Sequence, residues 1–337
     1  MSDHPAVLRF SLIIPVFNRP DEVDELLASL CTQTDPGFEV ILVEDGSELR
    51  CEEVAARYRD RLKLTYHFKP NTGPGDSRNA GLRRMSGNYG IVLDSDCVIP
   101  PQYIAAVRMS LQHDPVDAFG GPDRAADTFT AVQKAINYAM TSFLTTGGIR
   151  GGGEKLDRFM PRSFNMGISR EAFDHTGGFG QMRFGEDIDM SLRILAAGFR
   201  TALFPEVWVY HKRRTSFRQF YKQVYNSGIA RINLHLRHPG SLKPVHALPA
   251  LFVAGVTVVL LMGLWASPTW LILPVGHALL LLADALRCTR SLHVALLAVV
   301  ACYIQLTAYG LGFLHAAWVR LVLGRGEFAA FQKKFYR

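Results

Sequence analysis

GIVLDSD, residues 90–96, is the stretch on which the fold turns. A short apolar run stops abruptly on carboxylates, the pattern of a buried strand whose carboxyl end opens on a site. Alternate strand residues share a face, so Asp94 and Asp96 project to the same side with Ser95 between them. Hard oxygen donors held in that way suit Mg2+ or Mn2+, an ion able to bridge phosphates and offset a departing negative charge. A solvated turn could carry the same letters, so the flanking sequence has to decide.

Outward toward the amino end, three more strands precede it. FSLIIPVF (10–17) is followed by a helix opening at Pro20 and Asp21, with Val23, Leu26, Leu27 and Leu30 on one face. EVILVEDGS (39–47) is followed by a helix over 52–60, and LTYHF (64–68) leads into NTGPGDSRNAGLRR, whose Gly73, Pro74 and Gly75 turn the chain into another helix. Alternating strand and helix predicts an α/β fold with a mostly parallel sheet covered on both faces and ligands at the carboxyl ends of its strands. The carboxylates of GIVLDSD stand at such an end. Beyond Pro100 the spacing predicts helices over 101–113 and 128–144, a mobile glycine-rich loop TTGGIRGGGEK at 145–155, and a helix over 186–197 with Ile188, Leu192 and Leu195 facing a core. Strands TALF and VWVYH then close the first domain at about residue 210.

Composition separates the two ends of the chain. The 337 residues carry a net charge of +7, yet 247–323 is almost uninterrupted apolar sequence. Segments 247–265, 268–286 and 294–319 each approach the roughly 20 residues needed to span hydrocarbon. A soluble module so poor in surface charge is the weaker reading. The bases concentrate around these segments, which points to anionic lipid headgroups rather than nucleic acid. Residues 211–246 mix basic and aromatic residues at helical spacing, as expected of an interfacial amphipathic helix, and 324–337 is a basic tail. Positive charge at Arg287 and Arg290 and again at Arg320, Arg325, Lys333 and Lys334 cannot all be cytoplasmic with three crossings. The sequence therefore favours two crossings plus a last segment broken at Gly310 and Gly312, with His277 and Asp284 facing protein or the boundary. Five scattered cysteines offer no CxxC pair, so neither a disulfide framework nor a zinc site is expected. The run 10–17 is too short for an export signal and is interrupted by Pro15, which keeps the first domain on the cytoplasmic side of an inner or plasma membrane.

Moving a sugar from a nucleotide diphosphate requires a hold on the nucleoside, charge to offset the leaving diphosphate, and a base for the acceptor hydroxyl. Glu186 and Asp187 open a helix, where carboxylates serve either as caps or, at a pocket lip, as a general base (Asp187) and an acceptor-orienting group (Glu186). Asp189 reads as a surface charge. Arg78 in the glycine turn is available for a phosphate, Asp45 for a base or ribose, and His211 for a third metal bond. Each has a bland alternative as a turn, capping or structural residue.

Taken in order, these motifs resemble family 2 of the inverting glycosyltransferases, of type A nucleotide-sugar fold, over residues 10 to about 230. IIPVFNR (13–19) looks like the family's opening strand and turn, EDGS (44–47) like its nucleoside motif, and GPGDSRNAGL (73–82) like GxxxARNxG with departures at Asp76 and Ser77. DSD (94–96) is similar to its DxD, NMG (165–167) with GGF (177–179) to its acceptor-side segment, and GED (185–187) to its ED motif. The resemblance implies nucleotide contacts from Pro15, Phe17, Asn18, Arg19, Glu44, Asp45, Gly73, Arg78, Asp94 and Ser95. It implies Asp96 as principal metal ligand with Asp94 and His211, Asp187 as base beside Glu186, and Asn165, Met166 and Gly167 on the acceptor side. It also implies a UDP- or GDP-type sugar donor, Mg2+ or Mn2+, and inversion at the anomeric carbon. The QxxRW motif of processive synthases is missing, and residues 211–231 look like those of non-processive membrane-attached relatives, which favours single-sugar transfer to a lipid-linked or membrane-adjacent acceptor. A processive synthase subunit and a sugar nucleotidyltransferase are the competing readings.

Overall fold

The computed structural model describes residues 7–124, 129–146 and 159–328; most of the glycine-rich run expected to be a mobile loop falls outside them. Two compact units divide the chain, one from Met1–Arg124, Glu154–His211 and Phe328–Arg337, the other from Ala125–Gly153 and Lys212–Glu327.

Among the described residues the first unit holds ten strands: β1 (Phe10–Val16), β2 (Phe38–Asp45), β3 (Leu64–Lys69), β4 (Tyr89–Leu93), β5 (Cys97–Val98), β6 (Ala118–Gly120), β7 (Asp123–Arg124), β8 (Asn165–Ser169), β9 (Thr201–Leu203) and β10 (Val209–His211). Seven form one sheet in the order β3-β2-β1-β4-β8-β6-β9, and β5-β10-β7 form a small second sheet. The β3-β2-β1-β4 part is parallel, as the alternation of strand and helix requires, and β8 runs antiparallel to both β4 and β6. Successive residues of β1 feed opposite cores: Leu12 and Ile14 pack with Leu42 and Leu93 on one face, and Ile13 packs with Ile41, Val43 and Val92 on the other. The helix Pro20–Leu30 buries Val23, Leu26, Leu27 and Leu30, the stripe its spacing predicts. Helix Pro74–Leu82 lies tight on the sheet because Gly81 has no side chain; a Cβ there would fall 2.2 Å from Ile13 Cγ2.

Helix Glu186–Ala196 departs in part from the expected face. Ile188 is buried as expected, together with Asp187, Met190, Ser191 and Ile194, whereas Leu192 and Leu195 are only half-buried. The inward stripe is thus the one that carries Asp187, held there by Ser191 Oγ donating to Pro161 O at 2.9 Å. The short helix Glu52–Ala56 ends sooner than its expected residue 60, giving way to turns through Tyr58 and Leu62.

In the second unit, helices Leu248–Trp265, Ile272–Thr289 and Leu292–Ala317 carry the apolar sequence, and among the described residues three helices are long and apolar enough to cross a membrane. One expectation needs correction. The last of these is unbroken through Gly310 and Gly312, which serve instead as sites of close approach: a Cβ at Gly312 would lie 2.1 Å from Tyr225 O, and one at Gly310 would lie 2.3 Å from Pro249 O. Helix Phe217–Arg237, expected to lie in the headgroup region, buries Phe220 and Val224 in an apolar cluster with Ala295, Ala298 and Cys302. The same cluster takes in Ala135, Ile136 and Ala139 of helix Ala131–Thr141, a segment expected in the first domain. The polar residues in the apolar helices do face protein: Asp284 accepts from Tyr138 Oη at 2.6 Å, and His277 Nδ1 lies 3.1 Å from Tyr303 Oη.

Gly312→Ala forces the helix pair apart and is expected to destabilise the second unit by about 1–3 kcal/mol. Gly255→Ala, with nothing within 4 Å of its added methyl, is the control that leaves the thermal midpoint in detergent unlowered.

Candidate active site

The small sheet draws a histidine onto the DSD carboxylates. β10 pairs antiparallel with β5, setting His211 opposite Cys97, and parallel with β7, setting Val209 opposite Asp123. His211 Nε2 lies 3.2 Å from Asp96 Oδ1 and 3.9 Å from Asp94 Oδ2, while Nδ1 lies 3.8 Å from Asp123 Oδ2. Phe164 stacks on the imidazole at 5.0 Å. Burial alone would lower the imidazole pKa, but Asp96, Asp123 and Asp94 outweigh it and raise it to about 9. Asp96 Oδ2 accepts from Arg19 Nη1 at 2.8 Å. Cys97 also borders the cluster, and burial with the neighbouring carboxylates pushes its thiol well above the usual range.

Arg78 carries the connection to the second acidic motif. Its buried guanidinium donates from Nη2 to Asp94 Oδ1 at 2.9 Å and from Nη1 to Glu186 Oε1 at 2.8 Å, with the Phe179 ring 5.5 Å from Cζ. The guanidinium, expected to face a phosphate, bridges carboxylates that lie 92 positions apart in the chain (186 − 94), and its Nε is buried without a hydrogen-bond partner. Glu186 is pushed up to about 7 by burial and, after Arg78's opposing pull, by Asp187. Asp187 goes the other way, because the Arg162 and Arg78 guanidinium groups outweigh its burial and hold it below the usual carboxylate range. Arg162 Nε meets Asp187 Oδ2 at 2.8 Å, and Asp187 Oδ1 accepts from Ile188 N at 2.8 Å.

Other predicted residues build the walls. Asp45 accepts from Lys69 Nζ (2.5 Å), Thr72 N (2.9 Å) and Gly73 N (2.9 Å), which pins the turn ahead of the Arg78 helix. Glu44 is wholly buried, with Oε2 accepting from Cys51 N and Tyr66 Oη, so it serves the scaffold. Asn18 adopts φ 53° and its Oδ1 accepts from Glu48 N and Leu49 N, tying the first strand's turn to the EDGS turn. Pro15 lies within β1 opposite Val43, Phe17 is half-buried just past the strand, and Ser95 is buried between the two aspartates. The three acceptor-side residues are corrected to core positions. Asn165 commits its amide to Tyr103 Oη (2.6 Å) and Val207 O (2.7 Å), Met166 is wholly buried, and Gly167 lies under the Phe119 ring. Asp189 is no surface charge but a buried partner of Arg193, at 2.8 Å.

Sequence reasoning missed Asp123 and Arg162. Asp123 had one available signal, its place after the GGP turn. Arg162 had none, since nothing in MPRSF marks a partner for residue 187.

The arrangement sets an oxygen-and-imidazole cluster and a buried carboxylate pair on the two sides of one arginine. Residues 11–177 match glycosyl transferase family 2. An uncharacterized glycosyltransferase of Rickettsia bellii is 38% identical over 88 residues, covering 26% of this chain and 13% of that protein. The validoxylamine A glucosyltransferase of Streptomyces hygroscopicus subsp. jinggangensis is 35% identical over 101 residues, 29% of this chain and 24% of that protein. The chain thus spans less than a third of the length of such curated relatives. Among solved structures, the mannosyltransferase PcManGT of Pyrobaculum calidifontis, in complex with GDP-Man and Mn2+, superposes with a TM-score of 0.64 at 19% identity, covering 88% of this chain and 87% of that one. What they share is the fold, a mostly parallel sheet of the glycosyltransferase type A kind.

Removing one partner of a buried bridge leaves uncompensated charge. Arg78→Met is therefore expected to destabilise by about 3–5 kcal/mol, and Arg78→Lys to recover only part of that, because a point charge cannot span both carboxylates. Thermal melts read both. The raised Glu186 pKa gives a second expectation with a definite sign: its protonated form is favoured in the fold, so stability is lost as pH rises from its ordinary 4.5 toward about 7. The wild type should lose stability relative to Glu186→Gln across that window, in paired melts.

Proposed function

We propose that this protein is an inverting glycosyltransferase that moves one sugar from a nucleotide diphosphate to a hydroxyl of a lipid-linked or membrane-adjacent acceptor. The observation that carries the reading is the Arg78 bridge, which joins the strand-end aspartates at 94–96 to the helix-start pair at 186–187. The family match over 11–177 and the type A fold support it.

Residues Asp94, Asp96 and His211 fit a divalent cation. They offer oxygen and imidazole donors, and the histidine's other nitrogen faces the Asp123 carboxylate, the backing that metal-bound histidines usually have. Mg2+ or Mn2+ is the matching ion, and PcManGT was solved with Mn2+. Such an ion, when bound, would offset charge on the leaving diphosphate. The chain's own groups do the rest. Arg19 and Arg78 keep the aspartates fixed, and the pinned turn 70–73 shapes the floor for a UDP- or GDP-type nucleotide. Asp187, held ionised by Arg162, accepts the acceptor's proton as its oxygen attacks the anomeric carbon from the face opposite the nucleotide. Glu186, kept on Arg78, holds Asp187's helix in register with the metal site.

The three apolar helices support a multi-pass place in an inner or plasma membrane, with the first unit on the cytoplasmic side where nucleotide sugars reside. Transfer of a single unit rests on the missing QxxRW motif.

With Mn2+ and a panel of UDP- and GDP-sugars, release of nucleoside diphosphate is the measurement. Asp187→Asn should lower kcat by roughly 10²–10⁴ while donor binding persists. Asp96→Ala should lose metal-dependent donor binding. Unchanged turnover in both variants, or pyrophosphate as product, defeats the proposal.

A further inference from the structure

The second unit holds a group of bases that the transfer chemistry does not use. Helix Phe217–Arg237 ends in a basic stretch, and the segment after it folds back through Lys243 to the start of the first apolar helix. His246 lies within electrostatic reach of both Arg231 and Lys243, and its Nδ1 accepts from Lys243 N at 3.0 Å. From 231 to 246 there is no acidic residue. Arg231 has its Nε buried with no hydrogen-bond partner and has no carboxylate partner among the described residues. Its neighbours share the deficit: Asn233, 1% exposed, has both amide atoms unpartnered, and His235 Nδ1 and Ser241 Oγ are buried without partners.

A second guanidinium accompanies it. Helices Phe217–Arg237 and Leu292–Ala317 run side by side in the same direction, Gly228 backing on Tyr309 O and Phe313 N, and Arg237 reaching Glu327 at 3.1 Å farther along. Arg320 falls between Phe313 and Glu327 in sequence, with its own Nε buried and unpartnered and with no carboxylate partner among the described residues. Desolvating a guanidinium without an anion is costly, and so is gathering bases of one sign. A ligand that relieves both must be anionic, rich in acceptor oxygens and matched to a planar donor fork, which describes a phosphate group.

We propose that Arg231, with Lys243 and Arg320, forms a binding site for a phosphate group, supplied by an anionic phospholipid headgroup. Position selects the lipid source: Lys243 stands immediately before the apolar helix Leu248–Trp265, at the depth where bases meet headgroups. The lipid source rests on the apolar helices spanning a membrane, a reading that is tested separately by whether the full chain needs detergent to stay in solution.

The purified full chain in neutral detergent is melted with added phosphatidylglycerol, with phosphatidylcholine, and with inorganic phosphate at matched concentration. Phosphatidylglycerol should raise the midpoint saturably, and phosphatidylcholine should not. Arg231→Gln should weaken the apparent affinity roughly fivefold, as should exposed Lys243→Gln, which leaves the buried packing intact and so decides the matter if Arg231→Gln misfolds. Lys222→Gln, an exposed base on the same helix, should leave it unchanged. Equal losses in all three variants, or none in Lys243→Gln, overturn the site in favour of diffuse charge attraction. An equal response to inorganic phosphate overturns the lipid source, because the lipid would then add nothing to the phosphate itself.

Discussion

The first unit is organised around a single buried guanidinium. Arg78 sits on a helix pressed to the sheet by Gly81, and its fork is shared between a carboxylate at the end of β4 and one at the start of helix Glu186–Ala196. Arg78 and Glu186 are buried while Asp94 is partly exposed, and an unpaired charge at either buried position costs several kcal/mol. The bridge therefore fixes the spacing between the cation-fitting cluster and Asp187. Its geometry also explains the opposite pKa shifts of the adjacent acids. Glu186 shares Arg78 with Asp94 and is raised by burial, whereas Asp187 has Arg162 in addition and is lowered.

A second constraint is the three-stranded sheet. Its strands hold only two or three residues each, too few for independent stability, yet they bring Asp96, Asp123 and His211 together from widely separated positions. Phe164 stacking and the two ring nitrogens facing carboxylates orient the imidazole before any ion arrives. Preorganisation of this kind is what the proposed cation site would require and what a patch of surface acid would lack.

Much of this was legible in the sequence because strand-end carboxylates and helix-start carboxylates are local patterns. The order β1 to β4, the Val23 stripe, and the acidic motifs at 94–96 and 186–187 all follow from periods of two and 3.6 residues. What escaped was set by tertiary register. The inward stripe of Glu186–Ala196 agrees with the expectation at Ile188 and departs from it at Leu192 and Leu195, because Met190 and Ile194 enter the core and Ser191 bonds to Pro161. Arg162 was invisible for the same reason: a cation's partner is fixed by where a loop passes, not by its neighbours in sequence. The NMG segment misled in the other direction, since a motif beside a site was read as lining it, while the strand it forms is buried on both faces.

The glycines at 228, 310 and 312 make the broader point about reading apolar sequence. Glycine in an aqueous helix is a weak point, which made a break at Gly310 and Gly312 the natural expectation. In a bundle without a hydrophobic driving force between helices, the missing side chain becomes the contact, letting backbones approach and dispersion replace the lost propensity. All three glycines face backbone atoms of a partner helix closer than any Cβ would tolerate, whereas Gly255 and Gly276 face nothing. The same residue type thus marks an interface at one position and a neutral site at another, and only the packing tells them apart. It follows that the parallel pair of helices Phe217–Arg237 and Leu292–Ala317 is specified as tightly as any part of the catalytic sheet, and that the bases at its end are held in place by that register.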